Sequence, residues 1–361
     1  MSYDLIAELP VTIESVSLDR RERETSSDFT RVTTTVSLSG PLSADGGDGS
    51  TDALTGLGED VTYETDHHEA LARTGLPDLT GSFTIDSFSD RLGDLDLFPG
   101  DPPEREVFRN YRRWAVESAA LDLALRQAET DLASAIGRSI DPVRFVASTS
   151  LGDPPSLDRV DALRSRRPGV DLKLDPTVDW NDALIDELAD LDAVRILDLK
   201  GQYEGTEVET PGDYDLYRQL AEAFPNAVLE DPALTDETRP LFDDESVRER
   251  VSWDAPIHDL DDVGALPWEP GWLNIKPSRF GSIASLFETI EYCRERKIRL
   301  YGGGQFELGV GRGQLQLLAS LFYPDGPNDI APRAYNRSTV PDELPTSPLV
   351  PPTDPAGFRW E

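Results

Sequence analysis

VRFVAST (143–149), VDLKLD (170–175), VRILDLK (194–200), NAVLED (226–231), VSWDAP (251–256), WLNIKP (272–277), IRLYGGG (298–304) and NDIAP (328–332) are short apolar runs that recur at a fairly steady pitch. Between them lie stretches with helical periodicity: TVDWNDALIDELADL (177–191), DYDLYRQLAEAF (213–224), GSIASLFETIEYCRERK (281–297) and GRGQLQLLASLF (311–322). Strands alternating with such helices predict a parallel sheet. Eight of them predict closure into a (β/α)8 barrel, with an open doubly wound sheet as the alternative. NDIAP is the shortest run and the weakest strand.

Upstream the texture differs. Val11–Asp19, TRVTTTVSL (30–38) and LTGLGEDVTYET (54–65) read as strands of a small antiparallel sheet, with GPLSADGGDGSTD (40–52) as a loop. RNYRRWAVESAALDLALRQAETDLASAI (109–136) reads as one long helix ending at Gly137. Downstream, STVPDELPTSPLVPPTDPAG (338–357) is too rich in proline for a helix or a central strand. The expected domains are an α+β capping domain (1–138), a metal-binding barrel (139–335) and a tail (336–361) whose Phe358 and Trp360 pack on the capping domain. Loops near Ser17–Ser27 and Gly40–Leu57 are expected to cover the substrate.

The formal net charge of -35, from 69 acidic and 34 basic residues, is spread along the chain. A disordered acidic chain would lack aromatics, yet this one has 13 Phe, 10 Tyr and 6 Trp. The composition resembles that of halophilic proteins, with a dense carboxylate surface. It argues against nucleic acid as a partner, because phosphate backbones need a basic footprint. A single cysteine, Cys293, allows neither an internal disulfide nor a cysteine metal site. No signal-peptide pattern and no membrane-length apolar run is present, so a soluble cytoplasmic protein is the default expectation. A homo-oligomer is left open.

Lys173, Asp198, Glu230, Asp254 and Lys276 each sit at or near the C-terminal end of a run. They lie 25, 32, 24 and 22 residues apart, about one strand–helix unit each. In a barrel, those ends meet at one mouth. Three carboxylates there repel one another unless protonated or held by a cation. A hard divalent ion, Mg²⁺ or Mn²⁺, suits oxygen ligands, and the lack of strand-end histidine or cysteine speaks against zinc. The lysines flank the carboxylates and would face each other across a metal-bound carboxylate substrate, as base and acid for a proton next to the carboxylate. The bland alternative is that each charge lies in a solvated loop. In so acidic a chain, most single Asp or Glu residues do so, and the two lysines within apolar runs carry the stronger signal.

This arrangement resembles the enolase superfamily, in particular its muconate lactonizing enzyme and mandelate racemase-like members. GLGED (56–60) resembles the glycine-rich turn of the family's capping domain, AVESAALDLAL (115–125) the helix leading into its barrel, and LNIKPSRFGSI (273–283) its sixth strand and following turn. The resemblance implies a modified (β/α)8 TIM barrel with an N-terminal α+β capping domain. It implies Asp198, Glu230 and Asp254 as Mg²⁺ ligands, and Lys173 and Lys276 as the acid–base pair around a metal-stabilised enediolate. The outcome would be racemisation, epimerisation or cycloisomerisation, with elimination by a lyase, or a non-catalytic member of the fold, as alternatives. The chain departs from the family's pattern at three places, one of them Asp175, which is unusual two residues beyond Lys173. The first place of its Lys-x-Lys is Asp171, and Lys200 stands where an Asn is usual. Lys200 either neutralises the metal site or binds the substrate carboxylate.

YGGGQFELGVGRGQ (301–314) does not give the G-x-G-x-x-G of a dinucleotide site. It is read as a pocket wall with Glu307 facing the mouth and a helix start near Gly311 for a substrate carboxylate, or as a turn whose glycines permit close packing. His258 follows Asp254 by four residues and is a candidate substrate contact. His67 and His68 are expected to start a surface helix.

Overall fold

The computed structural model describes residues 2–26, 29–42, 53–100, 102–203, 205–206 and 208–360. The N-terminal strands are β1 (Pro10–Ile13), β2 (Ser15–Glu24), β3 (Thr30–Gly40), β4 (Leu54–Asp60) and β5 (Gly81–Thr84). β2, β3 and β4 form an antiparallel sheet, and β1 pairs with β5. The strand expected over Val11–Asp19 is therefore two strands, because its halves serve different sheets. Most of the 40–52 loop, and Ser27 of the other expected covering loop, lie outside the described residues.

The long helix spans Val107–Gln127 and packs along β4. Gly56 and Gly58 explain how: their Cα atoms lie against the Ala119 and Ala115 carbonyl oxygens, where a Cβ would collide. The expected single helix to residue 136 is broken. Glu129 takes a left-handed conformation (φ 51), and Asp131 starts a new helix, Leu132–Ala135, by accepting from the Ser134 N–H.

The C-terminal strands are β6 (Val146–Thr149), β7 (Asp171–Leu174), β8 (Val194–Asp198), β9 (Val228–Glu230), β10 (Val251–Trp253), β11 (Trp272–Ile275) and β12 (Arg299–Gly302). They form one parallel sheet in the order β12-β11-β10-β9-β8-β7-β6. The eighth run is not a strand. It makes isolated parallel bridges, Asn328 with Phe145 and Asp329 with Gly303, beside both edges of the curled sheet. The Asn328 side chain reinforces this, accepting from the Gly302 N–H and donating to the Arg144 carbonyl. The architecture is a modified (β/α)8 barrel behind an α+β capping region. Among the described residues no helix is long and apolar enough to cross a membrane.

Two buried charge clusters organise the capping region. Asp60 pairs with Arg112 at 2.8 Å, and Arg112 also donates to the Leu97 and His67 carbonyls and lies over the Phe98 ring. His67 and His68 do stand in a helix, Thr65–Thr74, but both are buried, which corrects the surface expectation. His68 is held between the Thr34 hydroxyl and the Thr62 carbonyl. Asp122 of the long helix accepts from the N–H groups of Leu57 and Phe358 and from the Arg126 and Arg359 side chains. Phe358 also meets Trp114 edge to face. The end of the chain is thereby tied to the capping region.

Burial alone would raise the Asp60 carboxyl, but Arg112, His68 and Thr62 pull it down to about 2. A depressed carboxyl stabilises the fold above its unfolded value and loses that contribution as pH falls through its folded value. Stability measured by urea unfolding should therefore drop between about pH 4 and pH 2, and this part of the drop should vanish in Asp60→Asn. That variant should cost about 3–5 kcal/mol at neutral pH, since it leaves Arg112 buried without its counter-charge. Removing residues 340–361 takes away Phe358, Trp360 and two partners of Asp122; the melting temperature should fall by roughly 5–10 °C, and an unchanged value would refute the docking.

Candidate active site

The five charged residues read from the strand ends do come together. Lys173 lies in β7, Asp198 and Glu230 end β8 and β9, and Asp254 and Lys276 directly follow β10 and β11. The Lys173 ammonium stands 2.6 Å from Glu230, 3.2 Å from Asp198 and 3.3 Å from Asp329. Lys276 meets Asp254 at 2.7 Å, as does the Tyr203 hydroxyl, and Arg279 meets it at 2.9 Å. Lys200 meets Asp198 at 2.5 Å and Asp175 at 3.4 Å. The Tyr301 hydroxyl donates to Glu230. Asp231 accepts the N–H groups of Asp254 and Ala255, both at 2.8 Å, which fixes the chain where Asp254 leaves β10.

Above this cluster opens a cavity of about 900 Å³. Lys173, Asp175, Asp198, Lys200, Lys276 and Asp329 border it from the strand ends, and Phe29, Tyr63, Arg105 and Tyr111 from the capping region. Glu230 and Asp254 are buried and do not border it. Lys173 and Lys276 therefore open on one cavity, with two of the three carboxylates behind them.

Burial works against every charge here, and partners decide the outcome. Burial lowers the proton affinity of Lys173, but Asp198, Glu230 and Asp329 more than reverse this and hold it well above the usual lysine range. Lys173 is thus held protonated in this state by the three anions that surround it. Burial raises Asp198 and Asp254, yet Lys173 and Lys200 hold the first, and Arg279 and Lys276 the second, well below the usual range. Glu230 is pushed up to about 8, by burial outweighing Lys173 and by the nearby Asp198 and Asp254. Asp231 is pushed up to about 7 by burial and the same two neighbours.

The donor set suits a hard divalent ion: three carboxylates from consecutive strand ends, with Asp198 Oδ1 buried and lacking any hydrogen-bond partner. As they stand, however, ammonium and guanidinium groups occupy the carboxylates. Among the described residues no three Asp, Glu, His or Cys side chains are gathered as a metal-holding group.

The remaining candidates divide. His258 borders the cavity, and its Nδ1 lies 3.1 Å from Asp262. Glu307 is buried away from the main cavity, pairing with Arg312 at 3.1 Å and accepting from the Gln305 N–H; Arg312 is the one that borders the cavity. The helix start near Gly311 does hold a carboxylate, but the protein's own: Glu59 of GLGED accepts the N–H groups of Leu308, Gly309 and Gly311. A Cβ on Gly311 would lie 2.9 Å from Glu59 Oε2, so the glycines serve close packing. Asp171 pairs with Arg195 at 3.0 Å outside the cavity, and the anions around Lys173 are others.

Arg279, Tyr203, Tyr301, Asp231 and Asp329 were missed. Asp329 lies near the start of the eighth run, where the rule for C-terminal strand ends passes over it. Arg279 stands in the quoted LNIKPSRFGSI, three residues after Lys276. For Tyr203, in a loop, the sequence carries no such signal.

Two family models match the chain: the N-terminal domain of DUF8230, a domain of unknown function, over residues 4–135, and its C-terminal domain over residues 139–337. The chain belongs to the DUF8230 family. Among solved structures, this DUF8230 chain has the fold of enolase-superfamily proteins. It is similar to muconate lactonizing enzyme from Pseudomonas putida, with a TM-score of 0.62 and 16% identity over 88% of each chain. It is similar to a probable mandelate racemase from Alicyclobacillus acidocaldarius, with a TM-score of 0.63, 18% identity, 97% of this chain and 92% of the other. A member of the enolase superfamily from Listeria innocua gives 0.62 and 16%, over 91% and 88%. A 59-residue stretch is 37% identical to o-succinylbenzoate synthase of Bacillus subtilis, which is 16% of either chain.

Replacing Glu59 by Ala leaves the buried N–H groups of Leu308, Gly309 and Gly311 without an acceptor. Urea unfolding should show a loss of about 2–4 kcal/mol, and a loss below about 0.5 kcal/mol would mean water replaces the carboxylate.

Proposed function

We propose that this DUF8230 protein is a divalent-metal enzyme, using Mg²⁺ or Mn²⁺, that removes a proton next to the carboxylate of a small-molecule substrate. The most favoured outcome is racemisation, epimerisation or cycloisomerisation. The observation that carries the reading is that Lys173 and Lys276 border one cavity from β7 and from the end of β11, with Asp198, Glu230 and Asp254 on the strands between. The crowding of carboxylates supports it: among the described residues, Asp175, Asp198, Glu230, Asp231, Asp254 and Asp329 are gathered about the cations Lys173, Lys200, Lys276 and Arg279. Burial and mutual repulsion push Glu230 up to about 8 and Asp231 up to about 7, and a bound divalent ion would favour the ionised forms of both.

Asp198, Glu230 and Asp254 would hold the ion, which when bound supplies positive charge to the substrate carboxylate as the enediolate develops. Lys276 approaches one face of the substrate and Lys173 the other. Lys173 is kept protonated by its three anions, so it first serves as the proton donor. It becomes a base when the charge of those anions is taken up elsewhere. Tyr203 and Arg279 fix Asp254, and Tyr301 fixes Glu230. Phe29, Tyr63 and Tyr111 border the cavity from the capping side, where they would limit water over the reacting carbon.

Proton exchange at the alpha carbon in D₂O, followed by NMR across acid sugars, dipeptides and aromatic carboxylates with Mg²⁺, tests the reading. A racemase or epimerase should lose exchange from one stereoisomer in Lys173→Ala and from the other in Lys276→Ala. An elimination would be lost mainly in one of the two. Full turnover in the double variant would remove the mechanism. A non-catalytic binding protein is the second reading, favoured by the ammonium groups that stand on the carboxylates; it predicts substrate binding without exchange.

A further inference from the structure

Lys200 carries three independent oddities. Its backbone is left-handed, with φ 54, a region that a side chain with a Cβ disfavours and that glycine or asparagine tolerates. The turn is pinned on both sides: the Leu199 N–H donates to the Glu230 carbonyl and the Gly201 N–H to the Asp231 carbonyl. Strain kept at a fixed turn beside a charged cluster points to a use for the residue that bears it. Second, its ammonium sits between two carboxylates of unequal surroundings. Asp198 is nearly buried at 4% side-chain exposure, and Asp175, on the same cavity, is at 31%. Third, the two oxygens of Asp198 are used unevenly. Oδ2 has both Lys200 and Lys173, while Oδ1 is buried without a partner.

We propose that Lys200 is a tethered cation that competes with a divalent ion for Asp198 and moves onto Asp175 when the ion binds. The inference rests on the metal reading given above and says how that site is regulated. An ion arriving at Asp198 Oδ1 meets an ammonium already on Oδ2, and two cations on one carboxylate repel. Lys173 is buried and keeps Asp329, which is not among the ion's proposed ligands, whereas Lys200 is more exposed and has Asp175 within reach on the same cavity, so Lys200 is the group that yields. The site then fills at a higher ion concentration than it would with a neutral side chain at this position. Until it fills, the lysine keeps Asp198 compensated.

Calorimetric titration of the full chain with Mn²⁺, checked by the electron paramagnetic resonance signal of free Mn²⁺, reads this without any substrate. Lys200→Asn, which also suits the left-handed backbone, should bind Mn²⁺ at least tenfold more tightly than the wild type. Lys200→Gln should follow it, and Lys200→Arg, which keeps the charge, should stay within about threefold of the wild type. Asp175→Asn should weaken Mn²⁺ binding in the wild type more than in the Lys200→Asn background, because only the former has an ammonium to relocate. Equal affinity in wild type and both neutral variants overturns the role of Lys200 and leaves the metal site standing. Weaker binding in the neutral variants overturns it as well. No binding in any variant overturns the metal reading and, with it, this inference. Binding only in the neutral variants supports the competition in its strongest form.

Discussion

Compensating negative charge at the strand ends is the constraint on which the rest of this molecule depends. The Lys173 ammonium ties β7 to β8 through Asp198, to β9 through Glu230, and to the closing segment through Asp329. That segment is not a strand, yet it bridges both edges of the sheet at Asn328 and Asp329. One cation thus links three adjacent strands to the piece of chain that closes the barrel. Lys276 and Arg279 do the same work for Asp254 on the far side. Burying these carboxylates without partners would cost several kcal/mol each. Two of these cations, Lys173 and Lys276, are the groups proposed above to act on a substrate.

The capping region is joined to the barrel by a second use of buried charge. Glu59 gives its carboxylate to three N–H groups ahead of the helix Gly311–Phe322, and Arg31 donates to the carbonyls of Val61, Thr62 and Gln305. On the barrel side of this joint the glycines of GVGRG let backbone approach the Glu59 carboxylate closely, while those of GLGED let its strand lie against the long capping helix. The cavity lies between these two bodies, so its capping-side wall, Phe29, Tyr63 and Tyr111, is positioned by the same contacts that hold the domains together.

Much of this was legible beforehand, and the failures share a cause. The alternation of apolar runs with helices gave the barrel, and the strand-end rule gave Lys173, Asp198, Glu230, Asp254 and Lys276. Such patterns are local and periodic. The break of the long helix at Glu129, the burial of His67 and His68, and the splitting of Val11–Asp19 between two sheets depend on what packs against each segment. Glu307 was placed near the mouth by position alone; its partner Arg312 reaches the cavity instead. Asp171 looked like an altered catalytic position, and it pairs with Arg195 outside the cavity.

By itself the sequence determined the class of fold and which charged residues would gather at one end of the sheet. Strand periodicity and barrel connectivity fix these, whatever the loops do. Only the tertiary structure decided who holds whom there. Coulomb attraction in a buried site is set by separations of a few ångströms between residues tens of positions apart. Hence Lys200 on Asp198, Arg279 and Tyr203 on Asp254, and Glu59 on the helix that begins at Gly311 appear in no spacing or period along the chain.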